Sequence, residues 1–186
     1  MEPILLDFPT EFTTERLLLR MPQPGDGEAV NSAICHSIEE LKPYMQFAQE
    51  MPKEEDTEKN IRKAYAKFIL RQDMRFLIFH KEEGHFIGSI ALHHPHWDIP
   101  KFEIGYWLDA RQTGKGNMTE ALIGLTEFAF HEIGAKRLEL LIAVINEKSR
   151  KVAEQAGYEL EGILKNEDRL PDGRLMDSRL YVKNPD

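Results

Sequence analysis

Between Phe102 and Ile145 the chain runs through a pattern that few folds can satisfy. A strand-like run to Leu108 is followed by a glycine-bearing loop, a long amphipathic segment from Asn117, and a second strand-like run from Arg137. Strand, helix and strand in that order form a crossover, which requires its two strands to lie parallel. Met118, Ala121, Leu122, Leu125, Phe128, Ala129 and Ile133 recur at the spacing of one helical face, and Gly134 is placed to end the helix. In the loop Arg111-Gln112-Thr113-Gly114-Lys115-Gly116, the two glycines can reach backbone angles that turn several amides toward one bound group. The helix start behind them adds unpaired N–H donors and the positive end of the helix dipole, so the segment reads as a cradle for a phosphate or pyrophosphate. Lys115 can add a point charge. The loop matches neither the P-loop, which needs Gly-Lys followed by Ser or Thr, nor the three-glycine dinucleotide fingerprint. Taken alone, it is equally compatible with a tight strand-to-helix turn.

The rest of the chain extends this unit into a larger sheet. Thr14 to Met21 reads as a strand, Asp26 is placed to cap a helix through Ile34, and a second, irregular helical stretch covers Ile38 to Ala48. Asp56 is expected to cap a clearer helix in which Ile61, Ala64, Tyr65, Phe68 and Ile69 share one buried face. Arg75 to Lys81 and His85 to His93 are strand-like and joined by Glu82-Glu83-Gly84, as in a hairpin, and Lys101 to Leu108 follows. After the crossover, a short helix from Glu147 to Ala156 stops at Gly157. Tyr158 to Ile163 and Arg174 to Lys183 read as late strands, with Pro171-Asp172-Gly173 turning before the last. The expected fold is α/β: a mixed sheet, antiparallel in its N-terminal strands, with one parallel strand-helix-strand unit and flanking helices. The ligand loop then lies past a strand's carboxyl end, where open α/β sheets usually bind. With 186 residues and no repeat or linker, a single domain spanning 1–186 is the simplest organisation.

Composition excludes several classes. No apolar run approaches the roughly 20 residues needed to cross a bilayer, and Met1 to Thr10 lacks the features of a signal peptide, so no membrane role and a cytoplasmic location are expected. The lone Cys35 cannot form an internal disulfide, and its place in a predicted helix far from the loop argues for a structural thiol over an acyl-carrying nucleophile. A net charge of -8 makes nucleic acid a poor direct partner. The acidic stretch from Glu50 to Glu58 either steers a basic partner or is solvated surface. His93-His94-Pro95-His96 is rich in metal ligands, but the proline and the lack of a complementary Cys or acidic set argue against a zinc site, so no metal is expected. Both a monomer and a homodimer through an exposed strand are open.

Arg-x-x-Gly-x-Gly after the strand Glu103-Ile104-Gly105-Tyr106-Trp107-Leu108 resembles the acetyl-CoA pyrophosphate loop of the GNAT N-acetyltransferase superfamily. Asn146-Glu147-Lys148-Ser149, continuing to Gly157-Tyr158, is similar to that family's second cofactor segment. Thr14-Glu15-Arg16-Leu17-Leu18-Leu19-Arg20 resembles the opening strand of the RimJ/RimL branch, which acetylates ribosomal-protein N-termini, and Leu41-Lys42-Pro43-Tyr44-Met45 resembles an acceptor-side loop of that branch. The resemblance implies an acetyl-CoA-dependent N-acetyltransferase acting on a protein N-terminal amine by direct transfer in a ternary complex. Rival readings are a small-amine acceptor (polyamine, amino sugar or antibiotic) and a noncatalytic acyl-CoA sensor.

The same resemblance implies the site residues. Backbone near Leu108 would meet the thioester and the pantetheine arm, and the amides of Gln112, Thr113, Gly114, Lys115, Gly116 and Asn117 would hold the pyrophosphate, with Arg111 opening the motif. Asn146 would contact the pantetheine arm, cap its helix, or do both. Glu103 resembles the family's strand glutamate and is the candidate base, directly or through water, against the alternative of an exposed or salt-bridged residue. Alternation puts it on one face with Gly105 and Trp107. Ser149 or Tyr158 would protonate the leaving thiolate; equally, Ser149 can cap its helix and Tyr158 can pack against the sheet. Tyr44, Met45 and Phe47 are candidates for an acceptor wall or for a core edge. A terminal amine, with a pKa of about 7.7 to 8.0, needs less help to lose its proton than a lysine near 10.4.

Overall fold

A computed structural model describes residues 2–185 of the chain. Eight strands make one sheet: β1 (Glu11–Thr13), β2 (Leu17–Arg20), β3 (Met74–His80), β4 (Phe86–His96), β5 (Lys101–Leu108), β6 (Arg137–Ala143), β7 (Glu159–Arg169) and β8 (Leu175–Lys183). Their spatial order is β1-β2-β3-β4-β5-β6-β8-β7. Every neighbouring pair is antiparallel except β5 with β6, which the crossover makes parallel. The helices are α1 (Gly27–His36), α2 (Ile38–Leu41), α3 (Glu54–Ile69), α4 (Asn117–Phe128) and α5 (Glu147–Gln155).

The sheet separates two apolar cores. On the α4 side, Phe76, Leu92, Phe102, Leu122, Leu125 and Leu138 pack together and are closed to solvent. Burying each such side chain contributes roughly 1.5–3 kcal/mol. On the other side, Val30 and Ile34 of α1 and Ile61 of α3 pack on Leu77 and Phe86. The expected α4 face is observed, and the helix continues through a π-type turn, Ala129–Ile133, to Gly134 at φ 79°.

Several local expectations are corrected. The strand expected from Thr14 to Met21 is β2 alone; residues 14–16 are a turn, and the short β1 before them was not foreseen. Phe12 anchors β1 by stacking on Phe128 at 4.6 Å. Asp26 does occupy the N-cap position of α1 but makes no capping bond, because its carboxylate binds Arg20 at 2.6 and 2.8 Å. Helix α3 begins at Glu54, so Asp56 lies inside its first turn with Glu54 and Glu55, where three carboxylates face the positive end of the dipole. Its buried face is Thr57, Ile61, Ala64 and Phe68. Tyr65 and Ile69 are 36% and 41% exposed, at the edge of that face. β6 stops at Ala143, short of Ile145, and β7 runs on to Arg169, well past Ile163.

Candidate active site

The loop between β5 and α4 is built from buried charge outward. Asp109, 1% exposed, accepts the Arg111 backbone N–H at 2.9 Å and pairs with its guanidinium, Nη2 to Oδ2 at 2.5 Å. Burial pushes the Asp109 carboxyl up, but the bonds from Arg111 outweigh it and hold the group below the usual range, so it stays charged. Arg111 is thereby committed to shaping the loop. The Ala110 N–H is fixed by Ser37 Oγ at 2.7 Å, and Lys115 Nζ reaches Gln112 Oε1 at 2.9 Å. Gly114 and Gly116 adopt φ of 76° and 77°, which an L side chain rarely tolerates. Among the described residues, the N–H groups of Gly114, Lys115, Gly116 and Asn117 donate to no protein acceptor. They stand at the start of α4 as an open anion cradle. Donors are therefore present where a pyrophosphate would need them.

The motif Thr14-Glu15-Arg16 is keyed to that cradle, a link the sequence reading did not make. Glu120, in the first turn of α4, accepts from Thr14 Oγ1 at 2.6 Å, the Arg16 N–H at 2.8 Å and Arg16 Nε at 2.7 Å. Arg16 Nη1 also reaches the Lys115 carbonyl at 3.1 Å.

Beyond the loop lies a slot. β5 and β6 pair only at Lys101↔Arg137, Phe102↔Leu138 and Glu103↔Glu139, then diverge. A space of about 210 Å³ opens between Ile104, Gly105 and Tyr106 on one strand and Leu140 to Ala143 on the other, with Asn146 and Ser149 beside it. β5 runs on past the opening to Leu108, which pairs with Gly88 of β4 on its far side. Asn146 caps α5, its Oδ1 accepting the Ser149 N–H at 3.1 Å, and its NH₂ has no protein partner among the described residues. Tyr106 donates to the Ser149 carbonyl at 3.2 Å, and burial pushes its pKa up to about 12, which keeps it a donor. Tyr158 does not line the slot. It is buried with its hydroxyl 2.7 Å from Thr126 Oγ1, and burial pushes its pKa upward, so its place is in the packing beneath α4. Asp168, not foreseen from sequence, brings a carboxylate from β7 to the slot wall.

A second cavity of about 510 Å³ lies on the other side of β5, against α1 and α3. Phe47, Arg75, Ser89, His93 and Trp107 help to line it, with Phe47 and Trp107 ring centres 5.9 Å apart. Met45, Gly105 and Tyr106 line both spaces, while Tyr44 lines only the slot. The three residues foreseen as an acceptor wall are thus divided between the two spaces, which meet at Gly105. Glu103 is half-buried and lines neither. Its register partner, His93, does line the second cavity and pairs with Asp73 at 2.5 Å. Among the described residues no cluster of three or more His, Cys, Asp or Glu side chains forms a metal site. Cys35 lies 3.6 Å from Asn31 in α1, away from the junction. A further depression, about 800 Å³ over the outer face of α4, meets the cradle only at Gly116 and lacks the convergence seen at Gly105.

A splayed parallel pair with an amide cradle at the head of the crossover helix defines a class of acyl-transfer folds. The family described as the acetyltransferase (GNAT) domain matches residues 16–159, and the chain belongs to it. YdaF of Bacillus subtilis (strain 168), provisionally named a ribosomal N-acetyltransferase, is 33% identical over 153 residues, covering 80% of each chain. The ribosomal-protein-serine acetyltransferase of Escherichia coli (strain K12) is 31% identical over 157 residues, covering 81% of this chain and 82% of the other. Among solved structures, RimL, the ribosomal L7/L12 alpha-N-protein acetyltransferase, in complex with coenzyme A, superposes with a TM-score of 0.85 at 22% identity, over 95% of this chain and 97% of that one. The microcin C7 self-immunity acetyltransferase MccE, with acetyl-CoA and AMP, gives 0.86 at 23% identity, over 92% and 94%. These two likenesses are of fold.

Proposed function

We propose that this protein transfers the acetyl group of acetyl-CoA to the N-terminal α-amine of a protein of the ribosomal kind, by direct attack in a ternary complex in the cytoplasm. The observation that carries the reading is the junction at Gly105, where the slot between β5 and β6 meets a second cavity lined by α1 and α3, on the strand whose following loop carries the free amides. Acetyl-CoA supplies an activated thioester. The amides from Gly114 to Asn117 hold its pyrophosphate, and Asn146 with the β5 edge near Leu108 aligns the pantetheine arm. Ser149 Oγ hydrogen-bonds the sulfur as it becomes a thiolate. Glu103, outside both linings, could take the amine proton only through water. Exposed Phe47 lines the acceptor cavity, the net charge of -8 suits a basic chain end, and the relatives named for ribosomal substrates point the same way.

One observation favours a second acceptor class. Arg75 lines the acceptor cavity, its Nη1 bonded to Asn60 at 2.7 Å, and a guanidinium there suits a small amine that carries an anionic group. Mixing the purified protein with acetyl-CoA and a panel of N-terminal peptides, polyamines and amino sugars, and following CoA release and product mass, separates the two. Acetylation of peptides at the α-amine is expected. Acetylation of small amines alone would transfer the assignment to metabolite modification, and tight acetyl-CoA binding without turnover would make the protein a sensor.

A further inference from the structure

We propose that His93, oriented by Asp73, is the group that takes the proton from the attacking amine, a role that rests on the acetyl-transfer reading above. His93 Nδ1 lies 2.5 Å from Asp73 Oδ2. Burial pushes the Asp73 carboxyl up, but the hydrogen bond from His93, with Arg75 and Lys67 nearby, holds it below the usual range. An ionised carboxylate can only accept, so Nδ1 carries the shared proton, and in the neutral ring Nε2 keeps its lone pair. The ring lies across Gly105: its Cδ2 and Nε2 are each 2.9 Å from where a Cβ at that position would stand. Gly105 borders both the slot and the acceptor cavity, so the missing side chain lets Nε2 come up to the place where they meet.

The charges around the ring are consistent with this task. From β3, Arg75 opposes a second positive charge. Asp73 favours one, as does Glu103, which faces His93 in register from β5. Asp56 of α3 lines the same cavity, Lys67 acts on Asp73 from the far end of that helix, and the His94 ring centre is 6.2 Å away. An acceptor ammonium gives one proton to Nε2, leaving a neutral amine and an imidazolium paired with Asp73. The amine nitrogen then forms the C–N bond as the C–S bond breaks, and its second proton balances the one gained by the departing thiolate.

The test uses the full chain with a peptide that the wild type acetylates, and compares it with His93→Gln and Asp73→Asn between pH 6 and 10. His93→Gln is expected to leave CoA affinity unchanged by calorimetry and to lower kcat at pH 7 by about 10²- to 10³-fold, the size of a general-base effect. That deficit should shrink toward pH 10, where a terminal amine, with a pKa of about 8, is already neutral in solution. Asp73→Asn should lower kcat at pH 7 with CoA affinity unchanged, and should free the imidazole proton from Nδ1. Nitrogen NMR of the wild-type protein alone should find the imidazole proton on Nδ1. A deficit of equal size at every pH would reduce His93 to a structural pin, and full activity of His93→Gln or a proton on Nε2 would also overturn the assignment. A wild type that acetylates no amine would instead remove the acetyl-transfer reading itself, and this role with it.

Discussion

Ser149 divides its three polar groups among three tasks. Its N–H is spent on the Asn146 cap at 3.1 Å, its carbonyl receives the Tyr106 hydroxyl at 3.2 Å, and its Oγ is left for the slot. Ser149→Ala keeps the first two, so the helix start and CoA affinity should persist while kcat falls. A thiol with a pKa near 8.5 already leaves tolerably as its thiolate, so the loss should be roughly a hundredfold or less. Steady-state kinetics beside calorimetric CoA binding checks this, and an affinity loss matching the kcat loss would count against the role. Residues of this kind were legible because their meaning is local: Gly114 and Gly116 sit beside the helix they cap, and Asn146 lies three positions before Ser149. His93 with Asp73, 20 positions apart, and Asp168, on the far hairpin, acquire meaning only once the sheet brings them together. Sequence set His93 aside as a zinc ligand and had no means of finding its carboxylate.

At the scale of elements, the turn between β1 and β2 behaves as a buttress for α4. Glu120 receives three bonds from that turn and is mostly shielded from water, with 18% of its side chain exposed. Burial raises its pKa, but the bonds from Thr14 and Arg16 outweigh this and the net shift is downward. A depressed carboxyl stabilises the fold fully above its unfolded value of about 4.3, and that contribution is lost as pH falls through the lower folded value. Glu120→Gln should therefore cost about 1–3 kcal/mol near neutrality, as a charged hydrogen bond does, and should flatten part of the acid limb in denaturant unfolding measured across pH. The acidic run from Glu50 to Glu58 has a similar structural share: Glu58 accepts the Gly25 and Gly27 N–H groups, each at 3.0 Å, at the start of α1. β5 was legible because its buried residues alternate. β7 was legible only at its start, since nearly every residue along it is exposed and no period marks its length. β1 is three residues long, and its fixed point, Phe12 on Phe128, is a contact across 116 positions.

Across the whole molecule, the sheet is two blocks, β1 to β5 and β6 with β8 and β7, joined edge to edge by three register pairs. A donor lying in the slot would restore the missing ladder, so CoA should slow hydrogen exchange at the slot-lining residues Ile104 to Tyr106 more than at β2 or β3. Exchange followed by mass spectrometry with and without CoA checks this; uniform slowing across the sheet would indicate general stabilisation instead. The crossover that creates the two blocks was the most legible part of the architecture, because strand, glycine loop, helix and strand leave only a parallel pairing. The splay was not, since no residue pattern announces where two neighbouring strands stop bonding. The slot and the second cavity share Met45, Gly105 and Tyr106, and the rest of each lining belongs to it alone. If each space holds one reactant, as proposed, neither would have to pass through the other's seat, and the two could arrive and depart in either order.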